Sequence, residues 1–534
     1  MPESGARTLV NTLLQLGVTN LFTLSGNQIL SIYDAIIDTP LRLIHTRHEA
    51  AAVHMADAWG RATENPGVAL VTAGPGHCNT ISALYVARMA ESPLVLLSGH
   101  CAQSDIGTGA FQEMDQVAIA APVCKASWIM THPNRIREDL EYAFYLARNG
   151  RPGPVHISIP SDILGLPLSD SNPDSSKTPV APSPNKINKT DRSTVLSKLR
   201  SAKKPLVLTG PSMSRDRRWS QVQKFSHLAN IPALPMDSPR GVNDPWLREA
   251  STCLNQADVV LLLNKKLDFS MQFGQAPAFA SNCEFIVVDS EINSFTINQN
   301  INVKRIDADP ELALASLISQ LEEPLTSNTT WNEELQLLRN RLPESWKSFQ
   351  TSSSPLHPMG ICSVLDPLIR DHSVFVCDGG EFGQWIQAGL DRTHRLINGP
   401  SGAIGGAVSM GLAAKLADPE KTVFVFSGDG AFGFHIMEFD TAIRYNIPVI
   451  AIVGNDSRWN AEHVLQMKHY GDTRTIGCEL LPSRYDKIVQ SLGGFGASVN
   501  NMEDLETALR DALESKLPAC VNVSIEGRAA PVFS

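Results

Sequence analysis

The stretch SGDGAFGFHIMEFDTAIRYNIPVIAIVGNDSRWN, residues 427–460, carries a glycine-flanked aspartate at one end and an Asn-Asp pair at the other. Carboxylate oxygens are what a hard divalent cation such as Mg²⁺ selects, in octahedral geometry. A strand ending in Gly428-Asp429-Gly430 and turning straight into a helix leaves backbone N–H groups free at the positive end of the helix dipole. The two glycines let a phosphate approach the main chain closely. A diphosphate placed there carries more negative charge than amides balance, so a divalent cation held by Asp429 is expected. The run IPVIAIVG must then end at the same edge of a parallel sheet, bringing Asn455, Asp456 and the backbone carbonyl of Arg458 opposite Asp429. A tight turn holding no ligand is the other reading that GDG by itself allows.

The elements that position these residues belong to a long α/β chain. At 534 residues it exceeds what one core can organise. Short unalternating apolar runs (GVALVTAG, SPLVLLSG, KPLVLTG, DVVLLLN, FIVVDS, TVFVFSG, IPVIAIVG) fit strands buried on both faces of a parallel sheet. Helix-like stretches such as MEDLETALRDALES alternate with them. Two polar stretches, residues 169–190 and TSSSP at 351–355, read as linkers and divide the chain into 1–168, 191–345 and 356–534. The expected fold is three doubly wound parallel-sheet domains. Residues 71–99 and 426–455 repeat one order of strand, glycine turn, helix, X-Pro and strand. The outer domains therefore read as diverged copies of one unit, with Pro75 in the first turn where the second has Asp429.

A net charge of −10 argues against a nucleic-acid or anionic membrane surface. No run is long enough to span a bilayer, and the N-terminal stretch MPESGARTLVNTLLQLGV reads as a first helix, not a signal peptide. Nine scattered cysteines without a CxxC pair suggest neither zinc nor disulfides, and fit buried free thiols in a cytoplasmic protein.

GDG followed after just over twenty residues by an Asn-containing turn resembles the thiamine diphosphate motif. It is the motif of the acetolactate synthase, benzaldehyde lyase, pyruvate decarboxylase and 2-hydroxyacyl-CoA lyase family. That pattern ends in Asn-Asn, and here Asp456 stands at the metal-ligand asparagine. The resemblance implies Mg²⁺ held by Asp429, Asp456 and Arg458, the last through its carbonyl, with Gly430 and Ala431 at the diphosphate. IHTRHEAAAVHMADAWGRAT, residues 44–63, resembles the family's RHE element. By that likeness Glu49 hydrogen-bonds the pyrimidine ring of the cofactor and promotes loss of the thiazolium C2 proton; from the residues alone it need only complement a helix dipole. Asn79 is placed with the cofactor by the same likeness. Gly380 and Glu381 lie in a DGGE loop resembling the one that holds the diphosphate from its far side. Within NGPSGAIGG, Gly402 resembles the glycine whose carbonyl takes the aminopyrimidine, and Ile404 the wedge that bends the cofactor. GAFQEMDQVAIAAPV resembles the substrate-side loop, with Gln112 as the group for a substrate oxygen.

The resemblance implies a carboligase or lyase acting on 2-oxoacids or 2-hydroxy ketones, acetolactate synthase-like. Gln28 occupies the position of a catalytic histidine in benzaldehyde lyase, and the adjacent His-His pair of simple decarboxylases is absent. The short tail RAAPVFS lacks the segment that closes over CoA in the acyl-CoA branch. The alternatives are an acyloin or 2-hydroxyacyl lyase, a catalytically silent cofactor-binding homologue, and a flavin-dependent oxidase, although 205–290 carries no strong dinucleotide fingerprint. Arg458, Trp459, Asn460 and His463 are expected to line the substrate entrance, with His463 on a lid helix. Because Glu49 and the metal site of one active centre come from different subunits in this family, a homodimer or homotetramer is implied.

Overall fold

The computed structural model describes residues 4–168, 183–214, 217–326, 329–350, 354–369, 373–390 and 395–532. Most of the 169–190 stretch and the start of 351–355 lie outside the described residues. The chain packs as two compact bodies. One comprises the described residues within Met1–Ser183 together with Ser409–Pro419 and Met437–Ile447; the other comprises those within Pro184–Val408, Glu420–Ile436 and Pro448–Ser534. Two stretches of the last third of the sequence thus pack in the N-terminal body.

The first body holds a six-stranded sheet of β1 (Asn20–Thr23), β2 (Arg42–His45), β3 (Gly67–Val71), β4 (Leu94–His100), β5 (Ala126–Ile129) and β6 (Pro154–Pro160). Its order is β2-β1-β3-β4-β6-β5, all pairs parallel. The second body holds two parallel sheets. The central one has β7 (Pro205–Thr209), β8 (Ala233–Pro235), β9 (Val259–Leu263), β10 (Glu284–Asp289) and β11 (Asn302–Asp307) in the order β11-β10-β9-β7-β8. The other has β12 (Ser373–Cys377), β13 (Arg395–Ile397), β14 (Thr422–Gly428), β15 (Ile450–Asn455), β16 (Phe495–Val499) and β17 (Ala519–Ser524) in the order β13-β12-β14-β15-β17-β16. The outer sheets therefore share one strand order, position for position.

All seven apolar runs singled out in the sequence are strands. β9, VVLLL, shows why they do not alternate: Val260 and Leu262 enter one core cluster, Val259, Leu261 and Leu263 the other, and all five are buried. MEDLETALRDALES is the helix Met502–Ser515, capped by Asn501, whose side chain accepts the Asp504 N–H. Among the described residues no helix is long and apolar enough to cross a membrane. The nine cysteines are free, eight of them buried and Cys78 exposed.

Candidate active site

The predicted residues gather into two clusters, one in each body. In the second body β14 and β15 run parallel with Gly428 opposite Gly454, so the turns after them open at one sheet edge. A cleft of about 170 Å³ there is lined by Gly380, Glu381, Gly402, Ile404, Asp429 and Asp456, and also by Gly430, Ala431, Arg458 and Trp459. Every diphosphate and metal residue expected from the sequence is in that set.

Asp429 begins the helix Asp429–His435 and is 1% exposed. Its Oδ2 is buried without a hydrogen-bond partner, a costly state for a carboxylate in a dry site. Burial raises its pKa, and the charge of Asp456 raises it further. Asp456 is raised by burial as well, against the Arg458 N–H and a hydrogen bond with Asp429, which pull it down. Two desolvated carboxylates pressed together this way fit a divalent cation between them. A third oxygen has the right freedom. Leu480 N–H donates to the Ser457 carbonyl and Trp459 N–H to the Cys478 carbonyl, both at 2.7 Å. That bridge sets Arg458 against Glu479 without using the Arg458 carbonyl. The turn needs left-handed backbone at Ser457, φ 55°.

The glycines fit a group of some bulk. A Cβ built at Gly380, Gly402 or Gly428 meets nothing within 4 Å, so these main-chain segments face open space. At Gly430 it would strike the Trp459 ring at 2.6 Å, so only glycine lets the indole close over the turn. Among the described residues no three His, Cys, Asp or Glu side chains form a metal cluster. Two carboxylates, a carbonyl and the oxygens of a diphosphate form a donor set of the kind Mg²⁺ accepts.

Three features of the cleft were not evident from the sequence. Asp378 ties its rim together: Oδ1 accepts the N–H of Gly379 at 2.9 Å and of Gly405 at 2.8 Å, while Oδ2 accepts Ser427 Oγ at 3.0 Å. The Glu381 carboxylate is committed to Arg240 at 3.0 Å and to the Ala530 N–H, so the cleft receives its main chain rather than a free acid. Asn455 turns away from Asp429; its Nδ2 donates to the Ser483 carbonyl and to Asn522 Oδ1, each at 3.1 Å. Asn460, expected at the entrance, presents a second buried and unpartnered oxygen, Oδ1. His463 sits half-buried on the helix Asn460–Tyr470.

In the first body Glu49 opens the helix Glu49–Thr63 and is 9% exposed, followed by buried Ala50, Ala51 and Ala52. Asn79 Nδ2 donates to its Oε2 at 2.9 Å. That bond gives Asn79 a role in orienting the carboxylate. Gln112 sits in the loop expected of it, at φ 61°, with its backbone close over Gly74. Gln116 carries no signature of its role in the sequence. It is 1% exposed, accepts the Gly74 N–H at 2.9 Å, and donates to the Gly99 carbonyl at 3.0 Å and to Ser158 Oγ at 2.9 Å. Gln28 is tied to the end of β3, accepting Thr72 Oγ1 at 2.5 Å.

The family description "Thiamine pyrophosphate enzyme, N-terminal TPP binding domain" matches residues 3–119. Its counterpart, "Thiamine pyrophosphate enzyme, C-terminal TPP binding domain", matches residues 378–523. The chain is 32% identical over 537 residues to the acetolactate synthase large subunit IlvG of Mycobacterium tuberculosis, covering 97% of this chain and 95% of that protein. It is 30% identical over 576 residues to 2-hydroxyacyl-CoA lyase 2 of Bos taurus, covering 98% and 90%. It is 29% identical over 566 residues to the acetolactate synthase isozyme 3 large subunit of Escherichia coli, covering 98% and 95%.

Proposed function

Because the chain belongs to the thiamine pyrophosphate enzyme family, we propose that it is a thiamine diphosphate- and Mg²⁺-dependent carboligase or lyase of the acetolactate synthase type. It would make or break a carbon–carbon bond beside the carbonyl of a 2-oxoacid or 2-hydroxy ketone. The observation that carries the metal reading is the buried, unpartnered Asp429 Oδ2 beside Asp456 in a cleft of open glycines. Asp429, Asp456 and the Arg458 carbonyl would hold Mg²⁺; Gly430, Ala431, Gly380 and Glu381 would take the diphosphate through their main chains. Gly402 and Ile404 would receive the ring system. The coenzyme supplies a nucleophilic carbon and an electron sink. Glu49, oriented by Asn79, would hydrogen-bond the pyrimidine ring of the coenzyme and support its activation. Gln112 faces the substrate oxygen. In domain terms, 1–168 takes the pyrimidine, 191–345 is central, and 356–534 takes the diphosphate.

Glu49 completes the active centre of a second copy, so the working form is a homodimer or homotetramer, and it acts in the cytoplasm. Calorimetry with thiamine diphosphate and Mg²⁺ tests the site: saturable uptake abolished by Asp429→Ala is expected, and uptake unaffected by that change refutes it. The near-equal identity to an acyl-CoA lyase keeps cleavage as the second reading. A panel of pyruvate, glyoxylate, acyloins and 2-hydroxyacyl-CoA esters, with products identified, separates the two. A silent homologue would turn over none of them.

A further inference from the structure

The segment that delivers Glu49 is fastened by a helix from nearly four hundred residues away. Helix starts leave backbone N–H groups without intrahelical partners. Here the Ala50 N–H goes to His48 Nδ1 at 3.1 Å. The Arg47 N–H is met by both oxygens of Glu438, at 3.0 and 3.2 Å, and the same carboxylate takes the His48 N–H. Glu438 opens the helix Glu438–Arg444, which packs in the N-terminal body, and it is 1% exposed. Thr441 Oγ1 donates to its Oε2 at 2.7 Å. One turn on, Tyr445 Oη accepts the His45 N–H at 2.9 Å, and Arg444 donates to the His45 carbonyl at 2.7 Å. Residues 45, 47 and 48 are each held from one helix, and Glu49 is the next residue.

A buried carboxylate is expensive unless its oxygens are used. The hydrogen bonds to the Glu438 carboxylate come from this segment and from the Thr441 hydroxyl that braces it, with Arg444 as a neighbouring charge. We propose that Glu438 is a positioning residue for Glu49: its carboxylate fixes the main chain at Arg47 and His48, and with it the reach of the Glu49 carboxyl. The inference rests on the reading above, in which Glu49 acts on the bound coenzyme. Hydrogen-bonded proton-transfer chemistry works over a span of about 2.6–3.2 Å, and a misplacement of about 1 Å costs on the order of 100-fold.

The test is deuterium exchange at C2 of thiamine diphosphate, read by NMR on quenched samples of the full chain saturated with coenzyme and Mg²⁺, without substrate. Glu438→Ala is expected to slow exchange roughly 100-fold, with coenzyme affinity within about threefold of the parent. Glu438→Gln, which keeps one acceptor oxygen, should recover about tenfold of that loss. A role in folding alone would lower the melting temperature and leave exchange in the folded fraction at the parent rate. Where Glu438→Ala does not fold, Glu438→Gln and Tyr445→Phe carry the test, each expected to slow exchange several-fold. Parent exchange rates in folded Glu438 variants, with Glu49→Gln slow, overturn the inference alone. Parent exchange in Glu49→Gln overturns the role of Glu49 and this inference with it.

Discussion

The turn after β3 and the turn after β14 hold the same place in two sheets of identical strand order, yet they are finished differently. After β3 the turn is Gly74-Pro75-Gly76, and protein fills it. Gln116 takes the Gly74 N–H, the Gln112 backbone lies where a Gly74 Cβ would point, and Pro75 has no N–H to offer. After β14 the turn is Gly428-Asp429-Gly430, covered by Trp459 at Gly430 but open at Gly428. Gly428 faces no atom within 4 Å, and Asp429 Oδ2 has no partner. One architecture thus supplies a closed end and an open end. What separates them is what the following segments reach: Gln116 and Gln112 close on Gly74, whereas Trp459 and the Tyr485 hydroxyl, on the Asp429 carbonyl at 2.9 Å, leave Gly428 and Asp429 Oδ2 unmet. The closed copy gives its carboxylate, Glu49, to a different loop, on the helix after β2.

Four measurements break or sharpen that contrast. The largest effect belongs to the closed copy: Glu49→Gln should bind coenzyme with near-parent affinity while turnover falls about 10²- to 10⁴-fold in steady-state assays. Loss of coenzyme binding instead would make Glu49 a structural residue. In the open copy, Asp429→Ala should weaken Mg²⁺-supported coenzyme uptake by at least about 100-fold in calorimetry. The two interiors should also titrate in opposite senses. Burial lowers the pKa of His77 to about 4, well below an unfolded imidazole, so its contribution is present above about pH 6.5 and lost as pH falls towards 4. Burial raises Asp378 to about 6, so its contribution is present below about pH 3.9 and lost as pH rises through 6. Each swing amounts to roughly 3 kcal/mol. Urea unfolding at stepped pH should show the acid limb flattened by His77→Asn and the opposite limb by Asp378→Asn. The smallest effect is Gln116→Ala, which strands the buried Gly74 N–H and should cost about 2 kcal/mol in the same assay.

The strands, the glycine turn and the pair of carboxylates at the sheet edge were legible because they are local patterns: β-branched runs, a GDG triplet, an Asn-Asp close. The groups that hold the site in place were not. Gln116 reaches from 116 to 74 and 158, Asp378 from 378 to 405 and 427, and Glu438 from 438 to 47. Each bonds mainly to backbone or hydroxyl groups, which carry no side-chain signature in the partner sequence. Asn455 shows the converse. It sits beside Asp456 in the sequence, but successive residues at a strand end point opposite ways, and its amide faces Ser483 and Asn522. The packing of Met437–Ile447 with the N-terminal body was likewise invisible, since nothing local marks a helix as belonging to another body.

The indole of Trp459 lies against the bare face of Gly430 and edge-on to Phe434, inside the lining of the cleft. Whatever enters must change the polarity and quenching around that ring, so the chain carries a built-in fluorophore at its own doorway. Emission compared between the parent and Trp459→Phe would isolate that signal from the other seven tryptophans and time each arrival without any label.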